Sequence, residues 1–201
     1  MPSQPRPYNQ VARAAATQDT QRRIMDAFAN ALAEHWMDEV TLDDVATAAG
    51  TTRQTVIRLC GGKEGLLRAF AEKMAQEIAI RRALPPGARP RQVAQVVVRD
   101  YEITGDVVIR ALAQESRHPV LTPLLNVGRR HHRDWITATF AHALPPGEAA
   151  REALITQLVV ATDVYTWKLL RRDFHHSAEE VEGLIAGIIT KLLGEEVQND
   201  P

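Results

Sequence analysis

The segment that most constrains this chain is "TLDDVATAAGTTRQTVIRLCGG", residues 41–62. Thr41 opens a helix as N-cap, and Asp44 stands three residues on, where a carboxylate suits the positive end of the helix dipole. Gly50 stops that helix, because glycine readily takes the left-handed conformation of a sharp turn. Thr52 caps a second short helix, which ends at Gly61-Gly62. Val45 and Val56 are expected to face inward, and Ala46 is small enough to let the two helices cross closely. Two short helices joined at a glycine make a helix-turn-helix.

Helical periodicity extends through the rest of the chain, without convincing strand alternation. Ile24, Ala27, Phe28, Ala31, Leu32 and His35 form one apolar stripe between Gln18 and Trp36. A longer helix is predicted from Lys63 to about Ala83. The string "ALPPG" occurs at residues 83–87 and 143–147 and reads as two similar helix stops. Between them the pattern predicts helices near 89–104, 106–115 and 120–143, with Gly105 and Pro119 at the joints. A long helix to about Arg172 follows, then a last one from Ser177 to Leu193, opened by a Ser177–Glu180 capping box. The expected fold class is all-α: an N-terminal three-helix domain with a helix-turn-helix, then a C-terminal helical bundle, about nine helices in total. The expected divisions are a disordered N-terminal arm over 1–17, a helix-turn-helix domain over 18–66 and a helical bundle over 67–201. The arm reads first as a solvated tail; contact of its Arg6 and Arg13 with a nucleic acid is the second reading.

Composition narrows the function. At 201 residues and 45% hydrophobic, the chain is large enough for one compact unit or two small domains. A net charge of -1 gives no global attraction to DNA, so any basic surface is local. The single cysteine, Cys60, excludes an internal disulfide and fits a reducing cytoplasm, the expected location. No segment has the uninterrupted apolar length needed to cross a bilayer, so no membrane partner is expected.

The pair Gly62-Lys63 suggests a phosphate, but not a nucleotide's. A P-loop needs glycine where this chain has Ile57 and serine or threonine where it has Glu64. The second helix instead turns Thr52, Arg53, Gln54, Thr55 and Arg58 outward. These are donors suited to base edges and phosphates in a major groove. A lysine at a helix start is opposed by the dipole by about 0.3–1 kcal/mol, which a DNA phosphate held by Lys63 and the open N–H groups would offset.

From Arg22 to Phe70 the chain resembles the TetR (tetracycline repressor) family, through its amphipathic first helix, "TLDDVATAAG", the short recognition helix and "GKEGLL". The resemblance implies a homodimer that binds a palindromic operator and releases it when a small molecule enters the C-terminal domain. It also implies that Thr41 contacts phosphate, that Thr52 to Thr55 and Arg58 face the groove, and that Lys63 holds backbone. The chain departs from the family at Ile57, Leu59 and Cys60, where aromatic side chains are usual.

The C-terminal half resembles the family's regulatory domains chiefly in helix pattern and in "ATDVYTWKLLRRD". Its last two helices, near 148–172 and 177–193, are apolar over wide arcs and are the expected dimer contact, with Leu158 as a contact residue. A mostly apolar effector pocket is expected between helices of residues 88–175. Tyr101, His131, Trp135, Asp163 and Trp167 are its candidate residues. The pairs His131-His132 and His175-His176 point about 100° apart when helical, so neither pair chelates one ion. Neither a cofactor nor a metal is expected. No nucleophile elbow, HExxH or intact P-loop is present, so an enzyme is not expected. The competing reading is a helical interaction or ligand-binding bundle with a weakened DNA-binding head.

Overall fold

The computed structural model describes residues 7–194, with side chains from residue 13 onward. Every regular element among these is helical, as the periodicity predicts. The chain divides into two compact units, one up to Met74 and one from Ala75.

The first unit contains α1 (Pro7–Glu34), α2 (Leu42–Ala48), α3 (Arg53–Cys60) and most of α4 (Gly62–Arg81). The expected arm over 1–17 is therefore helical from Pro7, and Arg13 lies exposed on α1. Arg6 falls outside the described residues. Proline suits a first helical turn, and "VARAAATQ" after it is rich in good helix formers, which extends α1 backwards past the apolar stripe. Ile24, Phe28 and Leu32 of that stripe are buried at four-residue steps. His35 is exposed instead, because α1 has already ended at Glu34. Leu66, Leu67, Val45 and Val56 fill the rest of this core, and Phe70 meets Phe28 edge to face at 6.1 Å. Those α4 contacts, with the Lys73–Asp26 ion pair, carry the division further along α4 than the expected residue 66.

The second unit is built around α5 (Pro90–Gln114), against which α6 (Leu121–Thr139), α8 (Val164–Lys168) and α9 (Ala178–Leu192) pack. α7 (Glu148–Ala161) packs on α6 and α9, and α8 runs on into a π turn over Leu169–Asp173. Its core joins Val93, Val97, Ile136, Phe140, Leu158, Trp167, Val181, Ile185 and Ile189. Ser177 caps α9 with the expected box, accepting from the Glu180 N–H while the Glu180 carboxylate accepts from its own.

Two joints differ from expectation. α5 passes through Gly105 unbroken, since the glycine is there for space: a Cβ at that point would overlap the indole of Trp167. The long helix expected to reach Arg172 instead breaks after Ala161. Thr162 turns its hydroxyl back to the Leu158 carbonyl at 2.8 Å, and Asp163 caps α8 by accepting from the Tyr165 N–H at 2.8 Å. Short polar side chains that bond nearby backbone compete with the helical ladder.

Candidate nucleic-acid interface

The helix-turn-helix is held by local caps and by α1. Thr41 and Thr52 adopt extended backbone and accept from the N–H groups of Asp44 and Thr55, each at 3.2 Å. Gly50 makes the turn at φ 62°, a left-handed angle that costs a side-chain-bearing residue about 1 kcal/mol or more. Two polar side chains of α1 then anchor the helix ends, which sequence patterning does not reveal. Arg23 donates to the Ala49 carbonyl at the end of α2, and Gln21 donates to the Leu59 carbonyl near the end of α3 at 3.2 Å. Arg23 is itself fixed by Asp19 at 3.2 Å. Each anchor satisfies a carbonyl that has no partner inside its own helix.

With Val56 buried, the remaining surface of α3 faces outward. Thr52, Arg53, Gln54 and Arg58 are exposed and Thr55 is half-buried, so the five expected recognition residues come together on one short element. The Thr52 and Thr55 hydroxyls lie 3.0 Å apart. Arg53 donates from Nη1 to the Asp43 carboxylate of α2 at 3.1 Å. Gln54 and Arg58 make no side-chain hydrogen bond among the described residues. Ile57 is exposed on the same helix, an apolar group where no tyrosine hydroxyl is available.

Thr41 is less free than its position suggests. Its hydroxyl donates to Asp44 Oδ2 at 2.6 Å while accepting from the Asp44 N–H, so its one hydrogen is already committed. Lys63 sits half-buried in the first turn of α4; burial lowers its pKa, and the nearby Asp38 carboxylate opposes that shift. Its ammonium makes no hydrogen bond or ion pair among the described residues. Gly65, one turn into α4, permits a close approach of two helices. A Cβ there would overlap the Cys60 carbonyl, so α4 meets the end of α3 only with glycine at this point. Burial pushes the Cys60 thiol up, away from thiolate chemistry.

In the second unit, three of the five expected pocket residues gather around a buried polar network. Asp100 is fully buried and accepts from Arg81 Nε at 2.7 Å and Arg82 Nε at 2.8 Å. The Arg82 guanidinium also lies over the rings of Tyr101 and Trp135, at 4.7 and 5.5 Å from their centres. Tyr101 donates to the Thr162 carbonyl at 3.1 Å, and Trp135 donates to the Arg82 carbonyl at 3.0 Å. Trp167 packs 5.8 Å from Tyr101 and donates to Glu102 at 2.9 Å. Asp163 is the cap of α8, and His131 is exposed on α6, so neither joins this cluster.

The histidine that does join is His132, which lies 3.0 Å from both Arg82 Nη1 and Thr162 Oγ1. A signal for it exists in the sequence: His132, Ile136 and Phe140 recur at four-residue steps, and the latter two are core. The His176 ring lies 3.8 Å from the Glu180 carboxylate and edge to face with Phe174 at 6.4 Å, and no group of three metal-ligating side chains occurs among the described residues.

No sequence-family model matches the chain. The HTH-type transcriptional regulator BetI of Burkholderia thailandensis is 32% identical over 141 residues, covering 65% of this chain and 72% of that protein. Among solved structures, a TetR-family transcriptional regulator from Streptomyces coelicolor has a TM-score of 0.70 at 19% identity, with 92% of each chain covered. SmeT, solved as a complex with triclosan, has a TM-score of 0.64 at 15% identity, covering 90% of this chain and 98% of that one. The two structures share the fold seen here, and the identity to BetI spans most of that regulator's length. The chain belongs to the TetR family of helix-turn-helix transcriptional regulators, as a DNA-binding regulator and not an enzyme.

Proposed function

We propose that the protein is a cytoplasmic homodimeric repressor that binds a palindromic operator and releases it when a mostly apolar small molecule binds its second unit. The observation that carries this reading is the anchored helix-turn-helix, whose α3 turns Thr52, Arg53, Gln54 and Arg58 to solvent while Val56 holds it to the core. In this reading Thr52, Arg53, Gln54 and Thr55 enter the major groove, Arg58 meets either groove or backbone, and Lys63 holds a phosphate. Thr41 reaches phosphate only by turning its hydroxyl away from Asp44.

The dimer is supported by an apolar surface on α7 and α9. Val160, Leu184 and Ile188 are exposed, and a groove of about 340 Å³ between these helices is lined by Thr156, Gln157, Val160, Ala161, Ile188 and Leu192, with Thr166 of α8. Contiguous apolar surface of this kind favours association. Leu158 is not part of it, being fully buried in the monomer core.

The sensor is supported by the aromatic cluster. Tyr101, Trp135 and Trp167 gather apolar surface beside the polar groups of Thr162 and His132, the mixture an effector site needs, and a ligand enters by displacing the Arg82 guanidinium from the Tyr101 and Trp135 rings. His131 and Asp163 stay outside that cluster. A ligand shifts the DNA-bound population only through a different affinity for the two states.

Selection of bound duplexes from random DNA tests the whole reading. The expected product is a two-fold symmetric site whose half-sites lie about one helical turn, or a multiple of it, apart. Recovery of unselected DNA at low salt as well as high would favour a bundle whose DNA-binding head is inactive. Release from the selected site by an apolar compound, with no effect of polar analogues, tests the sensor.

A further inference from the structure

We propose that Asp43 is a specificity-setting residue: its carboxylate fixes the Arg53 guanidinium so that Arg53 reads a guanine, while the untethered Arg58 serves the DNA backbone. The proposal rests on the reading that α3 enters the major groove.

The observation is an asymmetry between two arginines of one short helix. Arg53, at the first position of α3, donates from Nη1 to Asp43 Oδ2 at 3.1 Å. Arg58, in the last turn, has no side-chain bond among the described residues. Both Arg53 and Asp43 are exposed, so in the free protein the pair is worth little. Its role is geometric. Nη1 is occupied by the carboxylate, leaving the Nε–Nη2 edge as a parallel pair of donors. That edge matches the O6 and N7 acceptors of guanine, a bidentate match that a freely rotating guanidinium makes only at an entropic cost.

The position of Asp43 supports a purpose. It lies in the first turn of α2, beside the helix that would enter the groove. A carboxylate beside DNA repels phosphates, and Asp44 already serves both the dipole and the Thr41 hydroxyl. Pairing with Arg53 returns that repulsion as discrimination, because the carboxylate also competes with phosphates for the Arg53 guanidinium.

The test uses the full-length protein and its Asp43→Ala, Asp43→Asn, Arg53→Ala and Asp43→Ala/Arg53→Ala variants. Each is titrated on the selected duplex, on single-base-pair changes of it and on a scrambled duplex, at several salt concentrations. Asp43→Ala is expected to tighten the scrambled duplex and to lower the preference at one base pair by about tenfold. Asp43→Asn, which keeps an acceptor and the fold of α2, should lose less of that preference. Arg53→Ala should abolish preference at the same base pair, and adding Asp43→Ala to it should change the ratio no further. Tighter binding of every duplex by one factor in Asp43→Ala, with all preferences intact, overturns the proposal while leaving the groove reading standing. An Arg53→Ala variant with every base preference unchanged also overturns the proposal, and a parent protein that binds the selected and scrambled duplexes equally overturns the groove reading with it.

Discussion

Nδ1 of His132 faces Nη1 of Arg82 at 3.0 Å, two basic side chains in direct contact. An arginine only donates, so Nδ1 must be the unprotonated acceptor. The proton is then on Nε2, which donates to Thr162 Oγ1 at 3.0 Å, and that hydroxyl donates onward to the Leu158 carbonyl. Burial, reinforced by the Arg82 charge, pulls the imidazole pKa from 6.5 down to about 3.

A pH dependence of stability results. Between about pH 6.5 and 3 the unfolded chain takes up a proton on His132 that the folded chain refuses, so stability falls as pH falls. This one site should account for about 2 kcal/mol lost between pH 8 and pH 5. His132→Asn keeps an acceptor for Arg82 but cannot titrate. Urea unfolding at the two pH values should show a smaller loss for the variant; equal losses would mean the ring is protonated in the folded protein.

Gly105→Ala and Gly128→Ala should move stability in opposite directions. Alanine is ordinarily the better residue inside a helix by about 1 kcal/mol, and Gly128 has open space where a Cβ would be. At Gly105 the same methyl meets the Trp167 ring, and overpacking of that kind costs about 1–3 kcal/mol. Thermal melts of the two variants check the pair; stabilisation by both would show that Trp167 yields freely.

Ile188→Glu and Val160→Glu should give folded monomers with weakened operator binding, because both side chains are exposed on the apolar face of α7 and α9. Leu158→Glu should instead fail to fold, since it places a charge in a fully buried site. Light scattering with far-UV circular dichroism distinguishes the two outcomes. A dimeric Ile188→Glu, Val160→Glu double variant would move the subunit contact elsewhere.

Lys63→Ala should weaken all duplexes by a similar factor and reduce the slope of log affinity against log salt by about one unit. Lys63 is half-buried and its charge is partly desolvated, which favours a direct contact with a phosphate oxygen. An unchanged slope would leave it a bystander at the start of α4.

The relationships legible in the sequence are those confined to one turn of chain. Thr41 with Asp44, Thr52 with Thr55, and Ser177 with Glu180 each carry both partners within three residues. The Asp163 cap carries the same kind of signal, obscured by the apolar residues on either side of it. Gly105 misleads because one letter serves both to end a helix and to admit a neighbour, and the deciding neighbour, Trp167, belongs to another helix. His131 and His132 differ by about 100° of helix rotation, and only the distant Arg82 and Thr162 make the second one structural. The Arg23 and Gln21 anchors are hidden for the same reason.

Those anchors carry an implication for how such a domain changes its target. Both end on main-chain carbonyls, at Ala49 and Leu59, and a carbonyl is common to every residue type. Replacing Arg53, Gln54 or Arg58 removes neither attachment, so the outward residues of α3 form an exchangeable alphabet as far as its two moorings to α1 are concerned. The immovable letters are elsewhere, in Gln21 and Arg23, on a helix that need read nothing at all.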